Sequence, residues 1–163
     1  MLQMPKIFIG LVFWNLVLFG VTIWLGAAHH SANWHHQAVG VLTGIYTCLS
    51  HSIVMMHFMG SGKAIKEAVA THSLPDDPKT GYTRQTRRFK GRTSGLATLA
   101  CLLTIGVVWL GGAKDVGMLK GMTHGLIAYA VIGFNLYAFW VEYRVICENT
   151  ALIRQVDAKI TTP

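Results

Sequence analysis

Charged residues are scarce in this chain. Of its 163 residues, only 13% are Asp, Glu, Lys or Arg and 52% are apolar, whereas a soluble domain usually has about 25% charged residues. This composition excludes an ordinary soluble domain and a disordered chain. The three cysteines are too few for the disulfide framework of a small secreted scaffold. The length fits a single domain, so the composition indicates a small multi-pass membrane protein.

Acidic residues are scarcer than basic ones, with 7 against 14, which gives a net charge of +7. Most of the excess of basic residues lies in one segment, 60–92, and is not spread over the chain. A nucleic acid is therefore not an expected partner, and lipid is.

Four long stretches contain no charged residue at all, and each has the length of about 20 residues that a membrane-spanning helix needs. Only helices or closed barrels satisfy the backbone in lipid, and continuous apolar runs of this length indicate helices. The sequence therefore predicts an all-α, integral membrane, four-helix up-down-up-down bundle in a single transmembrane domain, 1–163. The predicted helices are 7–28, 37–60, 93–112 and 121–141.

The distribution of positive charge predicts the orientation. The segment 60–92 carries eight basic residues against three acidic ones, whereas the loop 28–36 carries no formal charge. Because basic loops stay on the cytoplasmic side, we expect the loop 61–92 and both termini to be cytoplasmic. The residues 142–156 are expected to continue the fourth helix into the cytoplasm, since their apolar positions keep near-helical spacing.

The eight histidines need an explanation in so apolar a chain, because ionisable residues inside a membrane usually face the bundle interior and serve a function. His29, His30, His35 and His36 cluster at the outer side, and His124 lies in the first turn of the fourth helix, at the same side. At 100° per residue, one face of the second helix carries a stripe of small and polar residues. Its members are His36, Gly40, Thr43, Gly44, Thr47 and His51.

Such a stripe fits close helix packing or a flat cofactor, for which glycine makes room and histidine supplies an axial ligand. The second and fourth helices run in the same direction, so His36 and His124 lie at similar depth. Two such imidazoles can hold a b-type haem with both axial positions filled, which favours electron transfer over oxygen chemistry. His35 is the substitute for His36. Trp34, Gln37, Lys120 and Thr123 are candidates for contacts with the haem propionates.

His51 is a further candidate cofactor ligand, about 22 Å along the helix from His36. It could bind a second haem, but no histidine lies in the inner half of the other helices to partner it. Alternatively, His51 or His57 hydrogen-bonds a quinone headgroup. The structural alternative is an interior histidine bonded within the bundle.

The chain resembles the small four-helix transmembrane b-type cytochromes that serve as membrane anchors and electron carriers in respiratory complexes. The resemblance covers roughly residues 7–145 and rests on helix count, the basic inner loop and the facing histidines, without a signature motif. It implies haem ligation by His36 and His124, and an electron-transfer subunit rather than a free-standing enzyme. It also implies exchange of electrons between membrane quinone and other membrane or peripheral redox subunits.

Other functions stay open. The chain could be a cofactor-free structural subunit of a larger membrane complex, or a metal-handling or transport protein that uses the outer histidine cluster. A chlorophyll-type pigment takes the same histidine ligand as haem. The short N-terminus before the first helix and the absence of a transit peptide favour a bacterial inner membrane.

Overall fold

A computed structural model of the chain describes residues 4–28, 34–115, 117–118 and 121–161. This part of the chain forms four helices and contains no strand: α1, Met4–Ala28; α2, Trp34–Thr71; α3, Tyr82–Asp115; and α4, Gly121–Thr161. All four are long and apolar enough to cross a membrane. The prediction of an all-helical chain with four candidate membrane spans is confirmed.

α2 and α3 extend well beyond the predicted spans, and α4 continues past its span through the predicted extension 142–156. α2 continues to Thr71, α3 begins at Tyr82 and α4 runs to Thr161. The basic stretch 84–92, predicted as part of a loop, is therefore helical. The absence of charge marks only the part of a helix that suits lipid, whereas Lys, Arg and Glu are good helix formers in water. The pair Lys63 and Glu67, at 3.8 Å, adds the usual support of an i,i+4 ion pair.

The break between α2 and α3 has local causes. Ser73 adopts a φ of 49°, and the Leu74 amide donates to the Val69 carbonyl at 3.0 Å, which is a helix C-terminal capping arrangement. Pro75 and Pro78 follow, and neither has an amide hydrogen to continue a helix. The non-helical connection is thereby limited to 72–81.

Contacts between the helices show in which direction each helix runs relative to its neighbours. Residue numbers change in opposite directions along α1 and α2, along α2 and α3, and along α3 and α4, whereas they rise together along α2 and α4. The contacts that establish this are Thr22–Thr43 and Asn15–Ser50, Gly44–Val108 and Cys48–Cys101, Thr104–Asn135 and Arg92–Glu148, and His51–Glu142 and His57–Asn149.

The distribution of polarity is that of a bundle surrounded by lipid. Large apolar side chains such as Trp14, Leu102 and Leu126 are exposed. The interior instead holds fully buried polar side chains, among them Asn15, Thr47, Ser50, His51, Asn135, Glu142 and Asn149. Soluble proteins rarely expose so much contiguous apolar surface. Four apolar helices with this surface indicate a multi-pass membrane protein.

The apolar core continues from the charge-free segments, where it includes Val54 and Phe58, into the helix extensions. Ile65 and Val69 of α2, Phe89 of α3, and Ile146 and Leu152 of α4 are buried together. This cluster holds the ends of three helices together beyond the charge-free segments. The bundle is therefore packed along the helix extensions as well as along the charge-free segments.

Candidate functional site

A cavity of about 590 Å³ lies among the four helices at the end where α2 and α4 begin. This volume is in the range of ligand pockets, roughly 300–1,000 Å³. Most of its wall is apolar, and an unusual share of it is glycine. The glycines that line it are Gly26 of α1, Gly40 and Gly44 of α2, Gly111 and Gly112 of α3, and Gly125 of α4.

The two predicted ligands meet in this cavity. The ring centroids of His36 and His124 are 6.5 Å apart, and the ring planes are inclined at 80°. A bond from a metal to an imidazole nitrogen is about 2 Å long, so two imidazoles on opposite sides of one metal have centroids roughly 6 Å apart. The spacing of the two rings therefore suits a single metal ion between them.

A backbone carbonyl fixes the tautomer of His36. Its Nδ1 lies 3.2 Å from the Thr22 carbonyl oxygen, and since a carbonyl can only accept, Nδ1 carries the hydrogen. In a neutral ring the lone pair is then on Nε2. Metal-binding histidines usually donate their second nitrogen in this way, which orients the ring and makes the ligating nitrogen more basic.

Two glycines make room for the two rings. A Cβ at Gly26 would lie 2.9 Å from Cε1 of His36, and one at Gly111 would lie 3.2 Å from Cε1 of His124. A methyl group at Gly26 would force the His36 ring to shift, and one at Gly111 would require the His124 ring to move by a few tenths of an ångström. The predicted glycines Gly40 and Gly44 both line the cavity, and a Cβ at Gly44 would meet Val108 at 2.9 Å. At Gly44 the glycine thus also permits close contact of α2 with α3.

The remaining outer candidates are distributed differently. His35 is exposed and its ring lies 3.9 Å from that of Trp34, so it is not part of the cavity wall. Gln37 lines the cavity, as does Lys114, a cation that the sequence reasoning did not select. His29, His30 and Lys120 lie outside the described residues.

A bare metal ion finds few ligands here. Within the part of the chain that the structure describes, no group of three or more His, Cys, Asp or Glu side chains could hold an ion together. Two imidazoles in an apolar cavity suit a metal whose other ligands come from an organic ring.

His51 lies behind the cavity wall, in a buried polar cluster that reaches the cavity through Asn135. Its Nδ1 is 2.8 Å from Oε1 of Glu142, and its Nε2 is 3.0 Å from Oδ1 of Asn135. The ring stacks on Phe139 at a centroid distance of 4.7 Å. Both nitrogens are therefore held in hydrogen bonds, and His51 has none to offer to a metal in this arrangement.

Glu142 is the site residue that sequence reasoning missed. It was assigned to the cytoplasmic extension because the fourth charge-free segment ends at Val141, yet its side chain is fully buried against His51. One signal was available in the sequence. Asn135, Glu142 and Asn149 recur every seven residues, so they share one face of α4.

A second buried polar group lies further along the same face. Asn149 donates from Nδ2 to Nε2 of His57 at 3.2 Å and to the Ser61 hydroxyl at 3.0 Å. His57 is thereby bonded within the bundle and does not lie in the cavity wall.

Comparisons with known proteins add nothing to this geometry. No protein-family model matches the chain, and searches of the curated proteins and of the solved structures found no match. The class of the protein therefore rests on its own features: four long apolar helices around a polar interior, with a glycine-lined cavity that holds two histidines.

Proposed function

We propose that this chain is an integral membrane b-type cytochrome, an electron-transfer subunit that binds one haem between His36 and His124. The observation that carries the proposal is the pair of imidazoles 6.5 Å apart in an apolar cavity of about 590 Å³. The carbonyl of Thr22 that orients His36 supports it, as does the glycine beside each ring.

The residues present fit a haem in their chemistry. His36 and His124 would hold the haem iron, and the glycines of the wall would leave room for a flat ring. Lys114 and Gln37, which line the same cavity, are suited to the propionates, with Lys120 as a further candidate. A haem held by both histidines would supply one-electron transfer rather than oxygen chemistry.

One haem per chain is proposed rather than two. A second haem would need His51 as a ligand, and both of its nitrogens are engaged by Glu142 and Asn135. A chain with one haem needs other molecules as electron donor and acceptor. Electrons would therefore pass between membrane quinone and other membrane or peripheral redox subunits.

The proposed topology is an up-down-up-down bundle with both termini and 72–81 in the cytoplasm, in a bacterial inner membrane. The opposite running directions of successive helices support the alternation. The basic residues of the α2–α3 region support the orientation through the preference of positive loops for the cytoplasm. His36 and His124 then lie near the outer surface.

A visible spectrum tests the proposed function. The full chain is purified in detergent from cells supplied with haem, and the dithionite-reduced minus oxidised spectrum is recorded with the haem content per chain. We expect b-type α and Soret bands and one haem per chain. A colourless protein would contradict the proposal and favour a structural subunit or, with copper or zinc present, a metal-handling protein. A pigment unchanged by reductant would indicate a chlorophyll-type cofactor.

The glycines beside the ligands give a second prediction. Gly26→Ala and Gly111→Ala each place a methyl group against a ligand ring, so we expect haem affinity to fall roughly 10–100-fold, as when a ligand's supporting contacts are lost. Haem titration of the apoprotein measures it. Gly20→Ala is the matched control, since a Cβ there meets nothing within 4 Å. Unchanged affinity in both cavity variants would argue against ligation by these rings.

A further inference from the structure

The inner wall of the cavity continues into a buried chain of hydrogen bonds. Asn135 and Thr104 both line the cavity. Nδ2 of Asn135 donates to the Thr104 hydroxyl at 3.1 Å and to the Val131 carbonyl at 2.8 Å. From Oδ1 of the same amide the chain passes to His51 and then to Glu142. Glu142 is thus separated from the cavity wall by two hydrogen bonds.

The hydrogen bonds fix how many protons the His51–Glu142 pair holds. The Val131 carbonyl can only accept, so the amide nitrogen of Asn135 faces it and Oδ1 faces His51. Nε2 of His51 must then donate to Oδ1. One further proton lies in the bond between Nδ1 and Oε1 of Glu142, on either atom. In both forms the pair has no net charge, which suits a fully buried site.

The pair retains capacity for one more proton. Among the described residues, Oε2 of Glu142 has no hydrogen-bond partner, although its side chain is fully buried. Buried polar atoms without a partner are rare and call for an explanation. When Oε1 faces an imidazolium, a second proton can bind at Oε2 and convert the carboxylate to a carboxylic acid. The pair then carries one positive charge.

We infer that the His51–Glu142 pair is a proton-binding site whose occupancy is linked to the charge of the cavity. This inference rests on the proposed function. When a reductant delivers one electron to the cavity, the added negative charge raises the affinity of the pair for a proton. Oxidation lowers that affinity again. A proton taken up at the pair offsets part of the charge that the electron adds to the bundle interior.

Few other ionisable groups surround the pair. The thiols of Cys48 on α2 and Cys101 on α3 face each other across the same helix layer. The charged neighbours of Glu142 along α4 lie towards the surface, with Arg144 over Trp140 and Glu148 paired with Arg92. In α1 the charged residue is Lys6, which is exposed and lies nine residues from Asn15. Glu142 is therefore the carboxylate that can bind a proton when the charge of the cavity changes.

The expected size of the linkage follows from the separation. His51 lies about 22 Å along the helix from His36. At about 20 Å and an effective dielectric constant of about 20, one charge changes proton affinity roughly fourfold. With 59 mV for each tenfold change in a one-electron couple, the midpoint potential should fall by about 35 mV in total as the pH rises through the titration.

The test is a spectroelectrochemical titration of the full, haem-loaded protein over the whole pH range in which it stays folded. We expect the pH-dependent fall in wild type and a pH-independent potential in Glu142→Gln, with the visible spectrum unchanged. Glu148→Gln is the matched control and should keep the wild-type dependence. Reduced-minus-oxidised infrared spectra of the wild type need no substitution, and they should show a carboxylic acid band gained on reduction.

Each alternative outcome separates the two proposals. A coloured protein whose potential does not depend on pH, and which gains no carboxylic acid band, would overturn the linkage and leave the proposed function intact. A pH dependence that persists in Glu142→Gln would assign it to another group and also overturn the linkage. A colourless protein would overturn the proposed function, and the linkage with it.

Discussion

Replacing either His36 or His124 with alanine is expected to remove most of the bound haem and its absorption bands. A b-type haem is held by its axial ligands and cavity contacts, and loss of an outer-shell partner alone lowers metal affinity roughly 10–100-fold. Loss of a ligand should lower the haem affinity at least as much. The measurement is haem content per chain and the reduced-minus-oxidised spectrum of each variant, purified beside the wild type.

Two further histidine variants control this experiment. His72→Ala changes an exposed histidine in the α2–α3 connection and should leave the spectrum as in wild type. His35→Ala decides between adjacent candidates, and we expect it to retain haem because the His35 ring is exposed beside Trp34. Full loss of haem in His35→Ala with retention in His36→Ala would shift the assignment by one residue.

Added imidazole distinguishes loss of a ligand from loss of the fold. In His36→Ala and His124→Ala the missing side chain leaves space in a cavity that glycines already widen, so free imidazole should restore part of the absorption. A variant that stays colourless in imidazole, although its helix content and thermal unfolding match wild type, would contradict axial ligation at that position.

Replacing Glu142 with alanine is expected to reduce the free energy of unfolding by about 3–5 kcal/mol, because it leaves His51 without its partner in a fully buried site. The other nitrogen of His51 stays hydrogen-bonded to Asn135, so the ring cannot reorient without breaking this hydrogen bond as well. Unfolding of the detergent-solubilised chain by heat or denaturant measures the loss.

The glutamine variant tests the physical reason. In Glu142→Gln the amide can donate to Nδ1 of a neutral His51, so the bond survives and most of the stability should remain. Glu148→Ala is the matched control, because Glu148 forms a half-exposed pair with Arg92 and such pairs contribute about 0–1 kcal/mol. Equal losses of unfolding free energy in Glu142→Ala and Glu148→Ala would show that the buried pair stabilises the fold no more than the half-exposed pair does.

The four helices could be predicted from the sequence, since each charge-free run has the length of a bilayer crossing. Beyond these runs, the spacing of apolar residues predicted the extension 142–156 of α4, whereas the full lengths of α2 and α3 could not be predicted from charge. Absence of charge indicates compatibility with lipid, whereas α2, α3 and α4 continue through segments that contain Lys63, Arg84 and Arg154, which are suitable helix residues. Only the packing of Ile65, Phe89 and Ile146 shows that these extensions form part of one bundle.

The site of His36 and His124 could be predicted from the sequence for a geometric reason. Helix direction alone places His36 and His124 at similar depth, and the period of the helix places Gly40 and Gly44 on the face of His36. The structure brings both rings into one cavity. The contributions of Thr22, Gly26 and Gly111 come from α1 and α3, and no periodicity within α2 could indicate them.

The sequence by itself determined that this is an all-helical chain with four membrane-length helices and two histidines at matching depth. These properties follow from composition and helical period, which are local. The tertiary structure decided that His51 is bonded to Glu142 and Asn135 rather than available to a metal. Those partners lie 91 and 84 residues away, and a contact across that distance depends on how the helices pack and rotate against one another.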